Sequence, residues 1–93
     1  MYRLRLYVTG LSPTSQRAID NLFEIVRTQL DERFDVEIID VLENPVLAED
    51  EKILATPTLV KQLPEPVRKI IGDLSDRDRV LLGLDLIPLQ GGR

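Results

Sequence analysis

The chain contains 93 residues, of which 43% are hydrophobic and 30% are charged, a length and composition typical of one globular domain with one core. Because the sequence has no cysteine and no histidine, it excludes a disulfide framework, thiol chemistry and the usual zinc sites. The net charge of −4 argues against a dedicated nucleic-acid binder, and no apolar run is long enough to cross a membrane. The N-terminus has no signal-peptide layout, so we expect a cytoplasmic protein.

The first half of the chain predicts a strand, a long helix and a second strand. Residues 3–9 alternate between apolar and polar side chains, as a strand does. Ser12 and Pro13 form a helix start, and apolar residues then recur at helical spacing up to about Leu30. Residues 34–41 form a second strand that becomes apolar on both faces, which is typical of a buried parallel strand. A strand–helix–strand unit of this kind should place its two strands parallel.

Two shorter helices are predicted in the second half. Asn44-Pro45 repeats the helix-start signal, and this helix should run to about Lys52. Its inward residues are expected to be Val46, Leu47 and Ala48. The other helix starts within residues 73–78, with Ser75 as its N-cap. Its core-facing residues are expected to be Val80, Leu81 and Leu84.

A hairpin is predicted between these two helices. Pro57 cannot sit inside a central strand, so Thr56-Pro57-Thr58 should open a strand over residues 58–63. Residues 64–66 form a turn, and residues 67–71 form the antiparallel partner strand. The resulting order is β-α-β-α-β-β-α. It predicts an α/β fold with a four-stranded mixed sheet, which is the thioredoxin-like arrangement.

The end of the chain is ambiguous. Residues 80–87 fit both a helix and a strand, because short apolar runs cannot be assigned by periodicity alone. Gly83 would cost a helix about 1 kcal/mol relative to alanine. We expect a single domain over residues 1–89, followed by a flexible tail over residues 90–93.

The aromatic and acidic residues indicate no binding platform. Four aromatic residues are scattered along the chain, which excludes a surface for stacking bases. We expect Phe23 and Phe34 in the core, and Tyr2 and Tyr7 exposed on the first strand. The three consecutive acids at residues 49–51 point in different directions on a helix, so we expect them to be solvated.

In a thioredoxin-type domain the active dithiol lies at the start of the first helix, next to the proline of the third strand. Here that place reads Ser12-Pro13-Thr14-Ser15, with serine at both positions where a glutaredoxin segment has cysteine. Thiol–disulfide exchange is excluded, because its nucleophile is a thiolate. No base is available to activate either serine, so helix capping is the expected role of Ser12. The sequence therefore predicts a non-catalytic binding or regulatory module without a cofactor or a metal.

Several segments taken together resemble a known family. They include Leu6-Tyr7-Val8-Thr9-Gly10, Ser12-Pro13-x-Ser15-x-Arg17-Ala18, Asn44-Pro45-x-Leu47-Ala48, Ile53-Leu54-Ala55-Thr56-Pro57-Thr58-Leu59 and Gly83-Leu84-Asp85-Leu86. The most specific block runs from Pro64-x-Pro66-Val67-Arg68 to Ser75, and ordinary redox thioredoxins lack it. Over nearly its whole length the chain resembles the KaiB family of circadian-clock proteins.

The resemblance implies a partner and a set of contact residues. KaiB-like proteins bind the N-terminal ATPase ring of KaiC, a hexameric RecA-type ATPase and autokinase, and oppose its phosphorylating state. Arg17, Lys52, Lys61 and Arg68 match basic positions that are associated with partner contact in the family. Neither nucleic acid nor a membrane is implied as a partner.

The resemblance also implies two folds for one sequence. One is a thioredoxin-like monomer that binds the partner, and the other is a self-associating dimer or tetramer with a rearranged C-terminal half. Gly83 and Asp85 match positions that influence this switch. Pro57 matches the proline that is cis in the thioredoxin-like form.

Two departures from the family pattern bear on the partners. Glu43 stands where many cyanobacterial members have lysine, near the surface associated with KaiA, and the acidic C-terminal extension of many members is absent. These departures suggest a divergent homologue that serves a KaiC-type partner without KaiA. Two alternatives stay open: a homo-oligomeric stress or signalling adaptor, and a thioredoxin-fold redox protein, against which the missing cysteines argue.

Overall fold

The computed structural model describes residues 1–86. Along these residues, strands and helices follow each other in the predicted order. They are β1 (Tyr2–Val8), α1 (Pro13–Arg27), β2 (Phe34–Asp40), α2 (Pro45–Asp50), β3 (Thr58–Leu63), β4 (Arg68–Ile71) and α3 (Arg77–Gly83). The flexible tail expected at residues 90–93 lies outside the described residues.

The strands form one mixed sheet in the order β2-β1-β3-β4. β1 and β2 are parallel, and their register runs from Tyr2 opposite Phe34 to Val8 opposite Asp40. β3 is antiparallel to β1, and β4 is antiparallel to β3. This topology confirms the thioredoxin-like fold class, in which a hairpin extends a parallel βαβ unit.

The core consists of two clusters, one on each face of the sheet. The larger cluster joins the sheet to α1 and α3 and includes Leu6 and Leu22, both 0% exposed. The smaller cluster joins β1 and β3 to α2, and it contains Tyr7 and Ala48. Successive side chains of a strand point to opposite faces, so Leu6 enters the first cluster and Tyr7 the second.

The aromatic residues lie differently from the sequence prediction. Tyr2 and Tyr7 were expected to be exposed, but both are buried, because β1 is a central strand that is covered on both faces. Tyr2 stacks on Phe34, with ring centroids 5.1 Å apart. Phe23 was expected in the core but is 45% exposed. It lies outside the stripe of α1 that faces the sheet, whose apolar members are Ala18, Leu22 and Ile25.

The first helix ends earlier than predicted for a local reason. α1 ends at Arg27 and not near Leu30. The Thr28 hydroxyl donates a hydrogen bond of 2.7 Å to the Ile25 carbonyl, so a side chain satisfies one of the last carbonyl groups of the helix. Leu30 consequently lies in the α1–β2 loop and is 89% exposed.

The two shorter helices also differ in detail from the prediction. Asp76, and not Ser75, is the N-cap of α3, because its carboxylate accepts a hydrogen bond of 3.2 Å from the Arg79 N–H. In α2, Ala48 faces the core as expected, whereas Val46 is 71% exposed. A helix of six residues offers one inward stripe, and Val46 lies outside it.

The ambiguous stretch near the end of the chain is helical in this structure. Val80, Leu81 and Leu84 are buried, while Leu82 is 41% exposed. Burial therefore follows the helical spacing and not the alternation of a strand. Gly83 is the last residue of α3.

We expect Gly83→Ala to have little effect on stability alone, because a gain and a cost oppose each other. Alanine improves helix propensity by about 1 kcal/mol, but its Cβ would lie 2.7 Å from Cδ1 of Ile70. Ile70→Val removes that carbon, so Gly83→Ala should be more favourable in the Ile70→Val background by about 0.5–1 kcal/mol. Urea unfolding of the four variants measures this difference. Equal effects of Gly83→Ala in both backgrounds would contradict the contact with Ile70.

Candidate partner-binding site

Three loops meet at one end of the strands. β1 is parallel to β2 and antiparallel to β3, so the end of β1, the end of β2 and the start of β3 lie at the same end of the strands. Thr9 and Thr56 join two of these loops through a hydrogen bond of 2.5 Å between their hydroxyl groups. The Gly10 N–H donates to Asp40 Oδ1 at 3.1 Å and ties in the third loop. We call the surface formed by residues 9–12, 41–44 and 51–57 the loop end.

The two serines that stand in place of a dithiol have structural roles. The Ser12 hydroxyl accepts a hydrogen bond of 3.2 Å from the Ser15 N–H, which confirms Ser12 as the N-cap of α1. Ser15 is 1% exposed, and its hydroxyl accepts from the Thr9 N–H at 3.1 Å. Pro57 is buried at the same loop end, and the peptide bond that joins it to Thr56 is cis. These contacts hold the loops together.

Three leucines are exposed on the loop end. Leu11, Leu42 and Leu54 are 86%, 69% and 95% exposed, and we call them the apolar rim. A shallow depression lies next to Leu54, lined also by Val41, Pro45, Ala48, Glu49, Lys52 and Ile53. Sequence reasoning missed the apolar rim, because periodicity assigns apolar residues within helices and strands and not single leucines in loops. Their only signal was the placement of a large apolar residue beside each predicted turn.

Two of the basic residues associated with partner contact are exposed. Arg17 lies in α1, and its Nε is 3.4 Å from Asp73 Oδ2. Hydrogen bonds from Ser75, and then from Arg17, hold the pKa of Asp73 below its usual range. Lys52 follows α2 at the loop end and has a left-handed backbone, with φ of +57°.

The other two basic residues converge on Asp85. Lys61 Nζ lies 2.7 Å from Asp85 Oδ2, and Arg68 Nε lies 3.4 Å from the same oxygen. The Lys61 side chain is 1% exposed, whereas that of Arg68 is 50% exposed. Lys61, and then Arg68, hold the pKa of Asp85 below its usual range. The structure thus unites two predicted contact residues with a predicted switch residue, and it places Lys61 inside this form of the protein.

Glu51 corrects the expectation that all three consecutive acids are solvated. Its side chain is 19% exposed, and it accepts hydrogen bonds from the Tyr7 hydroxyl, from Arg5 Nη1 at 2.8 Å and from Gln62 Nε2 at 3.3 Å. Burial alone would raise the pKa of Glu51, but these hydrogen bonds outweigh it and lower the pKa. Burial, together with the bond to Glu51, raises the pKa of Tyr7 to about 12. We call Glu51, Tyr7, Arg5 and Gln62 the Glu51 cluster.

The cluster was not visible in the sequence, because its members come from three separate elements. Arg5 and Tyr7 lie in β1, Glu51 caps the end of α2, and Gln62 lies in β3. Only the sheet order brings them together. Within residues 1–86 no helix could span a membrane, and no set of three or more acidic side chains is grouped as metal ligands would be.

A comparison with protein families matches the KaiB domain to residues 5–86. The chain belongs to the KaiB family. The circadian clock protein KaiB3 of Synechocystis sp. is 58% identical over 85 residues, which cover 91% of this chain and 83% of that protein. The circadian clock oscillator protein KaiB of Prochlorococcus marinus strain SARG is 60% identical over 86 residues, covering 92% of this chain and 74% of that protein.

Solved structures confirm the fold of this KaiB-family chain. The N-terminal domain of Synechococcus elongatus SasA superposes with a TM-score of 0.76 at 25% identity, covering 95% of this chain and 87% of that domain. Mitochondrial thioredoxin 3 of Saccharomyces cerevisiae gives a TM-score of 0.73 at 18% identity, covering 92% of this chain and 78% of that protein. The second likeness shows the fold alone. The KaiB family membership, together with the names of the relatives, identifies a regulator of the circadian-clock type.

Proposed function

We propose that this KaiB-family chain is a non-catalytic regulator that binds the N-terminal ATPase ring of a KaiC-type ATPase. By binding, it opposes the build-up of the phosphorylated state of that ATPase. The observation that carries the proposal is the apolar rim on the loop end. Exposed apolar side chains that share one surface are typical of a protein interface.

Charge on the same surface favours an acidic partner. Lys52 lies on the loop end, beside the depression next to Leu54 that Glu49 also lines. Arg17 is exposed outside the loop end, on α1, where it pairs with Asp73. A surface that combines large apolar side chains with a basic group fits a partner segment in which an acidic residue neighbours an apolar one. Glu43 lies on the same loop end and is exposed, and its negative charge disfavours a second partner of the KaiA type.

A second candidate function is a homo-oligomer whose self-associated form does the work. β4 is an outer strand of the described sheet, and the exposed apolar residues Val67 and Ile71 lie on it or next to it. The free edge of a sheet can pair with another chain. Sedimentation at several protein concentrations separates this function from that of a monomeric binder.

The apolar rim can be tested with a matched pair of substitutions. We expect Leu54→Asp to weaken binding to the KaiC-type ring at least about tenfold, because it places a charge in the apolar part of the interface. Leu30→Asp is the control, since Leu30 is similarly exposed but lies in the α1–β2 loop, at the opposite end of the strands from the loop end. Neither substitution should change the thermal unfolding midpoint by more than a few degrees.

Biolayer interferometry measures the binding of each variant to the isolated N-terminal ring in the presence of ATP. A wild-type chain that binds no KaiC-type ring from its own genome contradicts the proposed function. Equal losses for Leu54→Asp and Leu30→Asp contradict the location of the interface at the loop end.

A further inference from the structure

The end of α2 has an unusual residue at its turning point. The helix closes with the Lys52 N–H donating to the Glu49 carbonyl at 3.0 Å and the Ile53 N–H donating to the Ala48 carbonyl at 2.9 Å. These two bonds form a Schellman motif, in which the residue after the C-cap adopts a left-handed conformation. Glycine is the usual residue there, because a side chain disfavours positive φ. Here the position is occupied by Lys52, with φ of +57°.

The left-handed conformation of Lys52 is fixed from two sides. The torsion φ of Lys52 joins the carbonyl carbons of Glu51 and Lys52. Both carbonyl oxygens lie close to one ammonium, with Lys69 Nζ at 2.5 Å from the Glu51 oxygen and 3.5 Å from the Lys52 oxygen. Glu51 is held in addition through its side chain by the Glu51 cluster. The residue before Lys52 is therefore bound to β1, β3 and β4 at once.

Within the part of the chain that the structure describes, no ion pair or side-chain hydrogen bond uses the charge of Lys52. Its side chain is exposed beside the depression at the loop end. A glycine would complete the same turn without the cost of positive φ. Residues kept in disfavoured conformations by their surroundings are enriched at functional sites.

We propose that Glu51 is a positioning residue which, with Lys69, holds Lys52 in its left-handed conformation and so presents the Lys52 ammonium to an acidic group of the partner. This inference rests on the proposed function and adds a residue that does not touch the partner. Because the Glu51 cluster anchors Glu51 to the sheet, it fixes the direction in which the next side chain, that of Lys52, leaves the backbone at the loop end. Orienting the lysine before binding removes an ordering cost that the complex would otherwise bear.

The test is a double-mutant cycle on binding to the KaiC-type ring. We expect Lys52→Gly to weaken binding about tenfold through loss of the ammonium, and Glu51→Ala to weaken it about fivefold through loss of the oriented population. In the Lys52→Gly background, Glu51→Ala should have less than about a twofold further effect, because it acts through Lys52. Glu37→Ala is the matched control, since Glu37 binds the same Arg5 at 3.0 Å but is 57% exposed. Its effect on ring binding should be absent.

The thermal unfolding midpoint is a second readout, and Lys52→Gly should change it in the direction opposite to its effect on ring binding. Lys52→Gly should raise the thermal unfolding midpoint by a few degrees, because glycine adopts positive φ freely, while it weakens ring binding. If Lys52 had only a structural role, Lys52→Gly would change the unfolding midpoint and ring binding in the same direction. Lys69→Met replaces Glu51→Ala in the cycle if Glu51→Ala does not fold, since it removes the ammonium and keeps most of the side chain.

The outcomes separate this inference from the proposed function. Unchanged ring binding by both Glu51→Ala and Lys69→Met overturns the inference while the proposed function stands. The inference is also overturned if Glu51→Ala weakens binding equally with and without Lys52, or if Lys52→Gly lowers the unfolding midpoint. A wild-type chain that binds no ring overturns the proposed function, and this inference with it.

Discussion

Asp85→Asn is expected to destabilise the thioredoxin-like fold, because it leaves a buried ammonium without its carboxylate. Lys61 is 1% exposed on its side chain and faces Arg68 across the β3–β4 pair, so Asp85 is the counter-charge for two neighbouring cations. Leaving a buried charge such as the Lys61 ammonium without its partner typically lowers the free energy of unfolding by roughly 3 kcal/mol. Asparagine tolerates the φ of +60° at this position as aspartate does, so the substitution removes charge and leaves the backbone unstrained.

Lys61→Met should behave very differently from Asp85→Asn although it removes the other member of the same pair. Methionine fills the volume of the lysine stem, and the freed Asp85 carboxylate is 41% exposed and reaches water. The free energy of unfolding should change by less than about 1 kcal/mol, because replacing a buried charge by an apolar side chain is often neutral. Combining both substitutions should restore most of the stability that Asp85→Asn removes.

Urea unfolding followed by circular dichroism measures these three variants. Sedimentation of the same samples shows whether the destabilised variant self-associates. Equal losses for Lys61→Met and Asp85→Asn would contradict the burial of the Lys61 ammonium as the source of the asymmetry.

The second large effect is a loss of stability at alkaline pH that depends on Tyr7. Burial, and then the hydrogen bond to Glu51, raise the pKa of Tyr7 to about 12. Because the folded chain keeps this phenol neutral, its contribution is complete below the ordinary tyrosine pKa of about 10 and is lost as the pH rises towards 12. The difference between the two pKa values corresponds to roughly 2 to 3 kcal/mol of unfolding free energy.

Tyr7→Phe isolates this effect. At neutral pH it should cost about 1 to 2 kcal/mol, because Glu51 loses one donor but keeps Arg5 and Gln62. At alkaline pH its stability should fall less steeply than that of the wild type. Tyr2→Phe is the control: burial, followed by the charges of Glu32 and Asp85, raises the pKa of Tyr2, but no carboxylate holds its hydroxyl among the described hydrogen bonds.

Absorbance at 295 nm follows tyrosinate formation directly, since the chain has only two tyrosines. The component near pH 12 should disappear in Tyr7→Phe and persist in Tyr2→Phe. A Tyr7 that titrates near pH 10 would contradict its enclosure between the sheet and α2.

Local patterns were sufficient to predict the elements and their order. Alternation over β1, the Ser12-Pro13 start of α1 and the proline before β3 each act within a few neighbouring residues, and each was placed correctly. The parallel pairing of β1 with β2 and the antiparallel pairing of β3 with β4 followed from the βαβ unit and the short hairpin. No local pattern places β3 beside β1, so the full strand order comes from the structure. Errors arose where a nearby side chain competed for a helix end, as Thr28 and Asp76 do.

The candidate site was less accessible to sequence reasoning, because its chemistry depends on contacts between distant residues. Glu51 and Tyr7 are 44 positions apart and meet only after β1 has paired with β3. Sequence reasoning identified Lys61 only as a position associated with partner contact, and its burial against Asp85, which follows α3, is visible only in the structure. The apolar rim arises from three loops that only the fold assembles. Charge and hydrophobicity along the chain do not indicate which residues face each other.

The sheet order β2-β1-β3-β4 also determines when a growing chain can complete its sheet. β1, α1 and β2 all lie within the first 40 residues, but the core that they share also contains Leu59, Val80 and Leu84, so it cannot be completed until these later residues have been synthesised. The other side of β1 stays open until β3 leaves the ribosome. During that interval the bare strand edge is available to any neighbouring nascent chain, and prompt arrival of the hairpin protects against mispairing on polysomes.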